Sequence, residues 1–405
     1  MKSGKIIIII TALAILLRLI FVWQFVNINN INQWEYGEIA KNIINNNGYS
    51  LFYFEEDSLE YRYKENITPF PSAYMPPGFV FIILPFFFLN DDFLINFFVI
   101  LFQIICSVIV ITVLFRLSEK LFGSLAALIS IAIYAILPEF IYAVVSFSPT
   151  IVFHLAVLLT INRLLFFQEK SGFDVLVPLL LSFLIYLRSE LVLFVFLILL
   201  ILTIKKQFKF AFGSLLLILL FVLPWSLRNS VELSNIVPFT TNFGQNLYRG
   251  NNASDVGWWG EEIMAEKIKE LPRNNSFEIY LNQLYLERAI NYIKENPLRF
   301  VQNGIQKQFE LWVFNLSDSR ARSLIYMIPA ISILILFIIG IIKTFNVSKL
   351  KFIYLFFLHA AFVASIFFAI PRYQTMMKVL MIPFASIGII FFFDSIKQLI
   401  VHKKH

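Results

Sequence analysis

Apolar runs alternate with short polar gaps along almost the whole chain, and lysines and arginines cluster in many of the gaps. A helix of about 20 apolar residues is long enough to cross the ~30 Å hydrocarbon core of a bilayer. The first run continues past Arg18 to Val26, so we interpret it as a retained span and not as a cleaved signal. The pattern predicts ten spans, at residues 6–26, 92–115, 122–138, 149–168, 174–187, 189–204, 208–227, 323–342, 352–370 and 375–396.

The apolar segment 78–89 is too short to be an eleventh span, because at ~1.5 Å per residue its helix would extend only roughly 18 Å. We predict that it lies at the membrane interface. Every basic cluster then falls on the side of the N-terminus, as expected when positive residues remain inside. The sequence therefore predicts a multi-pass protein of the plasma (inner) membrane with both termini in the cytoplasm.

This topology leaves three polar stretches outside, at 27–91, 138–149 and 229–322. We predict an N-terminal transmembrane catalytic module (1–228) that includes the external loop 27–91. An extracytoplasmic helical region (229–322) and C-terminal transmembrane helices (323–405) follow. Helical patterns in the middle region predict a small external cap, with Ser276 as one N-cap; these patterns cover Glu261–Leu271, Phe277–Glu295 and Pro297–Phe314.

The stretch Trp34–Ile44 is the most informative part of the first external loop. As a helix it aligns four apolar residues on one stripe, namely Tyr36, Ile39, Ala40 and Ile43. Glu35 and Glu38 then share a neighbouring face, because they are three residues apart. The sequence predicts an amphipathic, carboxylate-bearing helix directly after a membrane span. Pro76 and Pro77 predict the start of the interfacial helix that follows.

Composition supports the membrane assignment: 59% of the 405 residues are hydrophobic and only 15% are charged, with a mean hydropathy of +0.77. A soluble domain would have about a quarter charged residues. The formal charge of +7 lies in clusters between spans, so we predict no nucleic-acid binding. The single Cys106 excludes an intrachain disulfide, and no Cys/His cluster has zinc spacing.

Glu35 is the leading candidate for chemistry, since a carboxylate beside Trp34 and Tyr36 at a membrane interface is partly desolvated. Glu38 is the second candidate in this helix. The alternative for both is a solvated charge on an amphipathic surface. Arg18 lies inside a span, where an arginine usually faces protein or a wet cavity, although snorkelling is the alternative. Three outer-side charges either line a polar cavity or are interfacial: Glu139, Arg188 and Glu190.

Arg228 and Asn229 follow the seventh span and lead to an amide-rich segment, Asn242–Asn252, that contains Arg249 and Asn251. Amide and aromatic side chains commonly line sugar-binding sites, but an ordinary loop has the same composition. Arg372 starts the last span from outside. Its planar guanidinium is suited to a phosphate, and the alternative is an anchor at lipid headgroups.

Taken together, these segments resemble the GT-C class of membrane glycosyltransferases that use lipid-phosphate sugars. The most similar branch contains the bacterial relatives of the protein O-mannosyltransferases and of the lipid A aminoarabinose transferase. The segments that carry the resemblance are Trp34–Ala40 with Gly48–Ser50, Pro71–Pro77, Pro224–Trp225 with Arg228–Asn229, Asn242–Asn252, Tyr292–Pro297 and Arg372–Tyr373.

The resemblance implies an all-α polytopic fold: a GT-C-like bundle of about ten transmembrane helices, interfacial helices in the first external loop and a small helical cap. It also implies inverting transfer from a polyprenyl-phosphate-linked sugar to a lipid, glycan or protein acceptor, with Glu35 catalytic. Two departures are Asn32, where many members have Asp, and Ser148–Thr150, which lacks an acid. A divalent metal is compatible with the family, but no metal ligand is assigned.

The candidate substrate-binding residues from both lines of reasoning are Arg18, Tyr36, Glu38, Tyr74, Glu139, Arg188, Glu190, Arg228, Asn229, Asn242, Arg249, Asn251, Arg372 and Tyr373. Two other functions remain open at this point. One is a transporter or flippase for a lipid-linked saccharide, which favours charges at mid-membrane and broken helices. The other is a polysaccharide polymerase or ligase.

Overall fold

The computed structural model describes residues 2–166, 173–253, 262–315 and 322–402. These residues form helices and one small hairpin of strands β1 (Tyr53–Glu55) and β2 (Ser58–Glu60). The helices are α1 (Lys2–Phe25), α2 (Trp34–Ile44), α3 (Pro77–Phe87), α4 (Asp92–Phe122), α5 (Ser124–Ile136), α6 (Pro138–Tyr142), α7 (Thr150–Phe166), α8 (Leu176–Leu187), α9 (Leu191–Ile204), α10 (Phe208–Glu232), α11 (Phe243–Gly250), α12 (Glu262–Lys269), α13 (Phe277–Glu295), α14 (Pro297–Trp312), α15 (Leu324–Thr344), α16 (Lys351–Ile366) and α17 (Pro371–His402).

The predicted all-α polytopic membrane fold is confirmed. Five helices in the described ranges are long and apolar enough to cross a membrane, namely α1, α4, α10, α15 and α17. The segment containing α5 and α6 makes a sixth if it is one span; it bends by 59° where Leu137 is extended before Pro138. The other predicted spans coincide with the shorter helices α7, α8, α9 and α16, of 12 to 17 residues. The number of ten spans stays a prediction.

Helix α17 lies at the centre of the bundle, where it packs against α15, α5 and α7. Its crossing with α15 is close because glycines lie at the contact. A Cβ atom on Gly340 would lie 1.9 Å from the Phe384 carbonyl oxygen, and one on Gly388 would lie 2.2 Å from that of Leu336. The predicted N-terminal and C-terminal membrane regions therefore share one core.

The first external loop has the predicted interfacial helices. Helix α2 has the predicted bounds, Trp34–Ile44, and its stripe faces the core: Tyr36, Ile39 and Ala40 are buried and Ile43 is half-buried. It packs against α3, which begins at Pro77 as predicted. The small hairpin between these helices was not predicted.

The cap consists of α11–α14. Helices α12–α14 lie close to the predicted bounds, with Glu261 outside the described residues, whereas α11 lies in the amide-rich segment and was not predicted as a helix. Ser276 precedes α13 as predicted, but its hydroxyl donates to the Leu233 carbonyl (2.9 Å) instead of capping the helix. The predicted boundary at residue 228 falls inside α10. A buried carboxylate connects the cap to the first loop, because Glu278 Oε2 accepts from the Ala73 amide (2.9 Å) and the Thr241 hydroxyl (2.6 Å).

Candidate active site

A cavity of about 340 Å³ opens between the start of α2, the α6–α7 turn, the end of α11 and the start of α17. Its lining is mixed: aromatic and aliphatic groups such as Trp34 and Ile370 alternate with polar ones. The polar lining residues are Glu35, Glu139, Ser146, Ser148, Thr150, Arg249, Asn315, Arg372, Gln374, Thr375 and Lys378. Four of the predicted site residues, far apart in sequence, thus line one cavity: Glu35, Glu139, Arg249 and Arg372.

Glu35 lies half-buried in the first turn of α2, at the outer rim of this cavity. The start of α2 is held by Gln33, whose side chain donates to Asn96 Oδ1 (2.9 Å) on α4. Trp34 has the unusual positive φ of 51°, and its amide donates to Asn32 Oδ1 (3.0 Å). Backbone strain of this kind often occurs at functional sites. Within the described residues no hydrogen bond or salt bridge engages the Glu35 carboxylate.

Arg372 and Arg249 place two guanidinium groups on the same rim. Arg372 is the second residue of α17, is exposed, and has no hydrogen-bond partner in the described part of the chain. Arg249 is half-buried on α11, and its guanidinium lies 4.6 Å from the centre of the Phe368 ring. Burial lowers the pKa of Arg249, and the nearby Arg372 cation lowers that pKa further. Two neighbouring guanidinium groups form a site suited to an anion such as a phosphate.

Deeper in the cavity, the ammonium of Lys378 forms a salt bridge with Glu139 Oε2 at 2.8 Å. The three hydroxyls of the α6–α7 turn lie beside it: Ser148 Oγ is 3.2 Å from Ser146 Oγ and 3.0 Å from Thr150 Oγ1. Glu139 thus lines the cavity as predicted. Lys378 was missed by sequence reasoning, although a lysine inside the predicted span 375–396 carries the same signal that identified Arg18.

Three predicted residues of the first loop lie next to the cavity without lining it. Tyr36 is buried beneath α2, with its ring 5.3 Å from that of Phe79. Burial raises the pKa of Tyr36 to about 12, although the nearby guanidinium groups of Arg372 and Arg188 act to lower it. Glu38 faces away, and its Oε2 accepts from the Tyr63 amide (2.7 Å). Tyr74 is buried, and its pKa is raised by burial.

Arg188, Glu190 and Tyr373 line a second, smaller hollow of about 60 Å³. The Arg188 guanidinium pairs with the Glu190 carboxylate and lies 4.3 Å from the centre of the Tyr373 ring. The predicted polar cavity residues of the α8–α9 turn are therefore paired with each other, in a mostly apolar setting beside His359 and Met376.

Arg18 and Arg228 do not line this cavity, and their contact with substrate stays a prediction. Arg18 is fully buried between α1 and α5, and donates to the carbonyl oxygens of Ala14 (3.0 Å) and Ala135 (3.4 Å). Arg228 donates to the carbonyl oxygens of Ser72 (2.5 Å) and Tyr49 (2.7 Å). In Arg228 both terminal nitrogens are engaged, whereas in Arg18 only Nη1 is, and its Nε and Nη2 are buried without a hydrogen-bond partner in the described residues.

The predicted amides are likewise engaged in structure and are absent from the cavity lining. Asn229 and Asn242 donate to the carbonyl oxygens of Phe239 (3.1 Å) and Tyr74 (2.8 Å). Asn251 donates to the carbonyl oxygens of Leu247 and Ile366, both at 2.8 Å. The composition of the 242–252 segment predicted sugar contacts, but Asn242 and Asn251 instead connect this segment to the first external loop and to the end of α16.

A divalent metal would find two carboxylates in the cavity, those of Glu35 and Glu139. No group of three or more His, Cys, Asp or Glu residues that could hold a metal ion occurs in the described ranges. We therefore assign no metal ligands.

Two comparisons relate the chain to known proteins. Residues 75–227 match the model of the family described as dolichyl-phosphate-mannose-protein mannosyltransferase. No curated protein is a match for the chain.

Among solved structures, the chain is similar to the oligosaccharyltransferase AglB from Archaeoglobus fulgidus in complex with an inhibitory peptide and a dolichol-phosphate (TM-score 0.58, 13% identity, 100% of this chain and 52% of the other). It is also similar to the Archaeoglobus fulgidus oligosaccharyltransferase tethered with an acceptor peptide (TM-score 0.57, 12% identity, 97% of this chain and 50% of the other). The chain spans about half the length of these structures. The shared architecture confirms the predicted GT-C fold.

Proposed function

We propose that this protein, a multi-pass membrane protein of GT-C fold, is a glycosyltransferase that moves a sugar from a polyprenyl phosphate to an acceptor at the extracytoplasmic face. One observation carries the proposal: the Glu35 carboxylate and the Arg249 and Arg372 guanidinium groups line the same cavity. A base and a phosphate-binding cation pair in one cavity suit group transfer from a phosphate ester.

The proposed reaction is a single in-line displacement with inversion at the anomeric carbon. Glu35 accepts the proton of an acceptor hydroxyl or amine as the acceptor atom bonds to that carbon. The bond between the anomeric carbon and the phosphate oxygen breaks, and its electron pair leaves with the polyprenyl phosphate. Arg372 and Arg249 stabilise the negative charge that develops on this leaving group.

A lipid-linked donor suits the position of the site, since a prenyl chain remains in the hydrocarbon while its phosphate reaches a cavity at the membrane surface. The matched family and the dolichol-phosphate bound to AglB support a lipid-phosphate donor. The transferred group is a hexose or pentose in this proposal, and the acceptor is a lipid, glycan or protein.

The proposed setting is the plasma (inner) membrane with both termini in the cytoplasm. The basic clusters then lie inside, and the cavity opens outward. Nothing in the fold or the comparisons favours the transporter, flippase, polymerase or ligase alternatives.

The test uses membranes that contain equal amounts of wild type or Glu35→Gln, supplied with radiolabelled polyprenyl-phosphate sugars. We expect the substitution to lower transfer by about 10²–10⁴-fold, the usual contribution of a general base. Glu65→Gln is the matched control, because Glu65 is an exposed carboxylate of the same external loop. Full transfer by Glu35→Gln would falsify the proposed mechanism.

A further inference from the structure

Lys307 is a fully buried lysine on α14, and no salt bridge engages it in the described part of the chain. Its Nζ donates to Asn251 Oδ1 (3.1 Å) and lies 3.4 Å from the carbonyl oxygens of both Ser365 and Ile366. An ammonium has three N–H donors, which equals these three acceptors in number. The acceptors belong to the end of α11 and the last turn of α16, so one side chain connects three helices.

The end of α11 lies directly on the chain that follows α16. A Cβ atom on Gly250 would lie 1.4 Å from the Phe367 carbonyl oxygen and 3.2 Å from Lys307 Nζ. Any larger residue would therefore separate these backbones. Asn251 strengthens the contact, because its amide donates to the Ile366 carbonyl at 2.8 Å.

This junction adjoins both rim cations. Arg249 immediately precedes Gly250, and its guanidinium packs on Phe368, the residue after the contact point Phe367. Arg372 follows at the start of α17. The short link between α16 and α17 thus contacts one cation and leads into the other.

We propose that Lys307 is a positioning residue: by tying the end of α11 to the end of α16, it holds Arg249 and Arg372 where they bind the donor phosphate. This inference rests on the proposed function. Lys307 itself does not line the cavity, so it acts through the two arginines.

The charge of Lys307 is not what holds the junction closed. Burial lowers the pKa of Lys307 to about 8, and the Glu310 carboxylate on the same helix opposes the shift. Helices α11 and α16 present neutral groups to the ammonium, namely the Asn251 amide and backbone carbonyls. A lowered pKa means that the closed junction favours the neutral amine over the ammonium, so hydrogen bonds and not a charge–charge attraction hold it.

The same shift fixes the sign for stability. Because the folded pKa of Lys307 lies below the ordinary 10.5, the unfolded chain binds more protons between these values, and the Lys307 contribution to stability rises with pH there. Opening of the junction follows the same rule, so we expect no loss of donor affinity from this junction as the pH rises through about 8.

The kinetic experiment compares wild type, Lys307→Met and Lys307→Arg at pH 7 in membranes supplied with the lipid-phosphate sugar. We expect Lys307→Met to raise the donor KM by about tenfold and to leave kcat nearly unchanged. Lys307→Arg should retain most of the donor affinity, since a guanidinium keeps several N–H donors for the same acceptors. Lys294→Met, at an exposed position on α13, is the control.

A second readout needs no substrate: amide hydrogen exchange of residues 247–252 and 366–374 in detergent. Faster exchange there in Lys307→Met than in Lys294→Met supports the inference, and equal exchange overturns it. An unchanged donor KM in Lys307→Met also overturns it. A wild type that transfers no sugar contradicts the proposed function, whereas the exchange result still decides whether Lys307 holds the junction.

Discussion

Charged side chains at the rim of the cavity differ from those at its deep end in whether they form salt bridges and hydrogen bonds. At the rim, the Glu35 carboxylate and the Arg372 guanidinium form no hydrogen bond to any described residue. At the deep end, Glu139 and Lys378 form a close salt bridge, with 13% and 2% of their side chains exposed. Charges left without partners at the rim are available to a substrate. The paired charges below neutralise each other and shape the cavity.

The same contrast separates the two carboxylates of α2. Glu35 and Glu38 are one turn apart on one helix, yet Glu38 accepts an amide hydrogen bond from Tyr63 and Glu35 faces the cavity. It also separates the arginines, since Arg228 is bound to backbone carbonyls and Arg372 is not. Suitable chemistry alone therefore does not make a residue part of the site, since neither Glu38 nor Arg228 lines the cavity.

The largest expected effect concerns the salt bridge between Lys378 and Glu139 at the deep end of the cavity. Lys378→Met leaves the Glu139 carboxylate buried without its cation, and breaking a buried pair in this way costs about 3–5 kcal/mol of unfolding free energy. Thermal unfolding in detergent measures the loss. The double variant Lys378→Met/Glu139→Gln should recover most of it, because no charge is then left unpaired. Wild-type stability of the single variant would contradict a structural salt bridge.

The second largest effect concerns Arg372 at the rim of the cavity. We expect Arg372→Ala to lower kcat/KM for the lipid donor by about 10²–10³-fold, because a donor to the developing charge is lost. Arg372→Lys should recover only part, since an ammonium lacks the planar fork of arginine. Arg299→Ala, at an exposed position on α14, serves as the control in the same transfer assay. Equal activity in Arg372→Ala and this control would remove Arg372 from the site.

A smaller effect distinguishes Arg228 from Arg372. Arg228→Ala removes charged hydrogen bonds to two backbone carbonyls, so we expect a loss of about 1.5–3 kcal/mol in unfolding free energy. The donor KM of the folded fraction should not change, since Arg228 does not line the cavity. A KM increase like that of Arg372→Ala would show that the contrast between the two arginines is wrong.

The smallest effect concerns Glu38. Burial raises the pKa of Glu38, partly opposed by the Tyr63 amide. The folded state therefore binds more protons than the unfolded state above pH 4.5, and the Glu38 contribution to stability falls as pH rises through that range. Relative to wild type, Glu38→Gln should be more stable at pH 7 than at pH 4.5, by under about 1 kcal/mol because of solvent screening. Melting temperatures of both proteins at the two pH values measure this difference in stability. A Glu38→Gln variant that gains stability relative to wild type at pH 4.5 and not at pH 7 would contradict the raised pKa.

The local sequence pattern was sufficient to predict where the helices begin and end, but not which residues form the site. The bounds of α2 and the start of α3 at Pro77 follow from apolar periodicity and proline stereochemistry, which act over one or two turns. Arg18, Arg228 and Asn251 had suitable chemistry, but their partners are carbonyl groups whose positions no side-chain pattern encodes. Lys378 was detectable as a charge inside an apolar run, yet its pairing with Glu139 was not.

The sequence by itself determined the membrane class, the helical segments and the short list of charged groups from which a site had to come. These properties depend on composition and on spacing within a turn. Only the tertiary structure decided that Glu35, Arg249 and Arg372 meet in one cavity and that Arg228 and Asn229 do not line it. That outcome depends on how helices separated by more than 100 residues pack, because the partners of a buried polar group come from other elements of the fold.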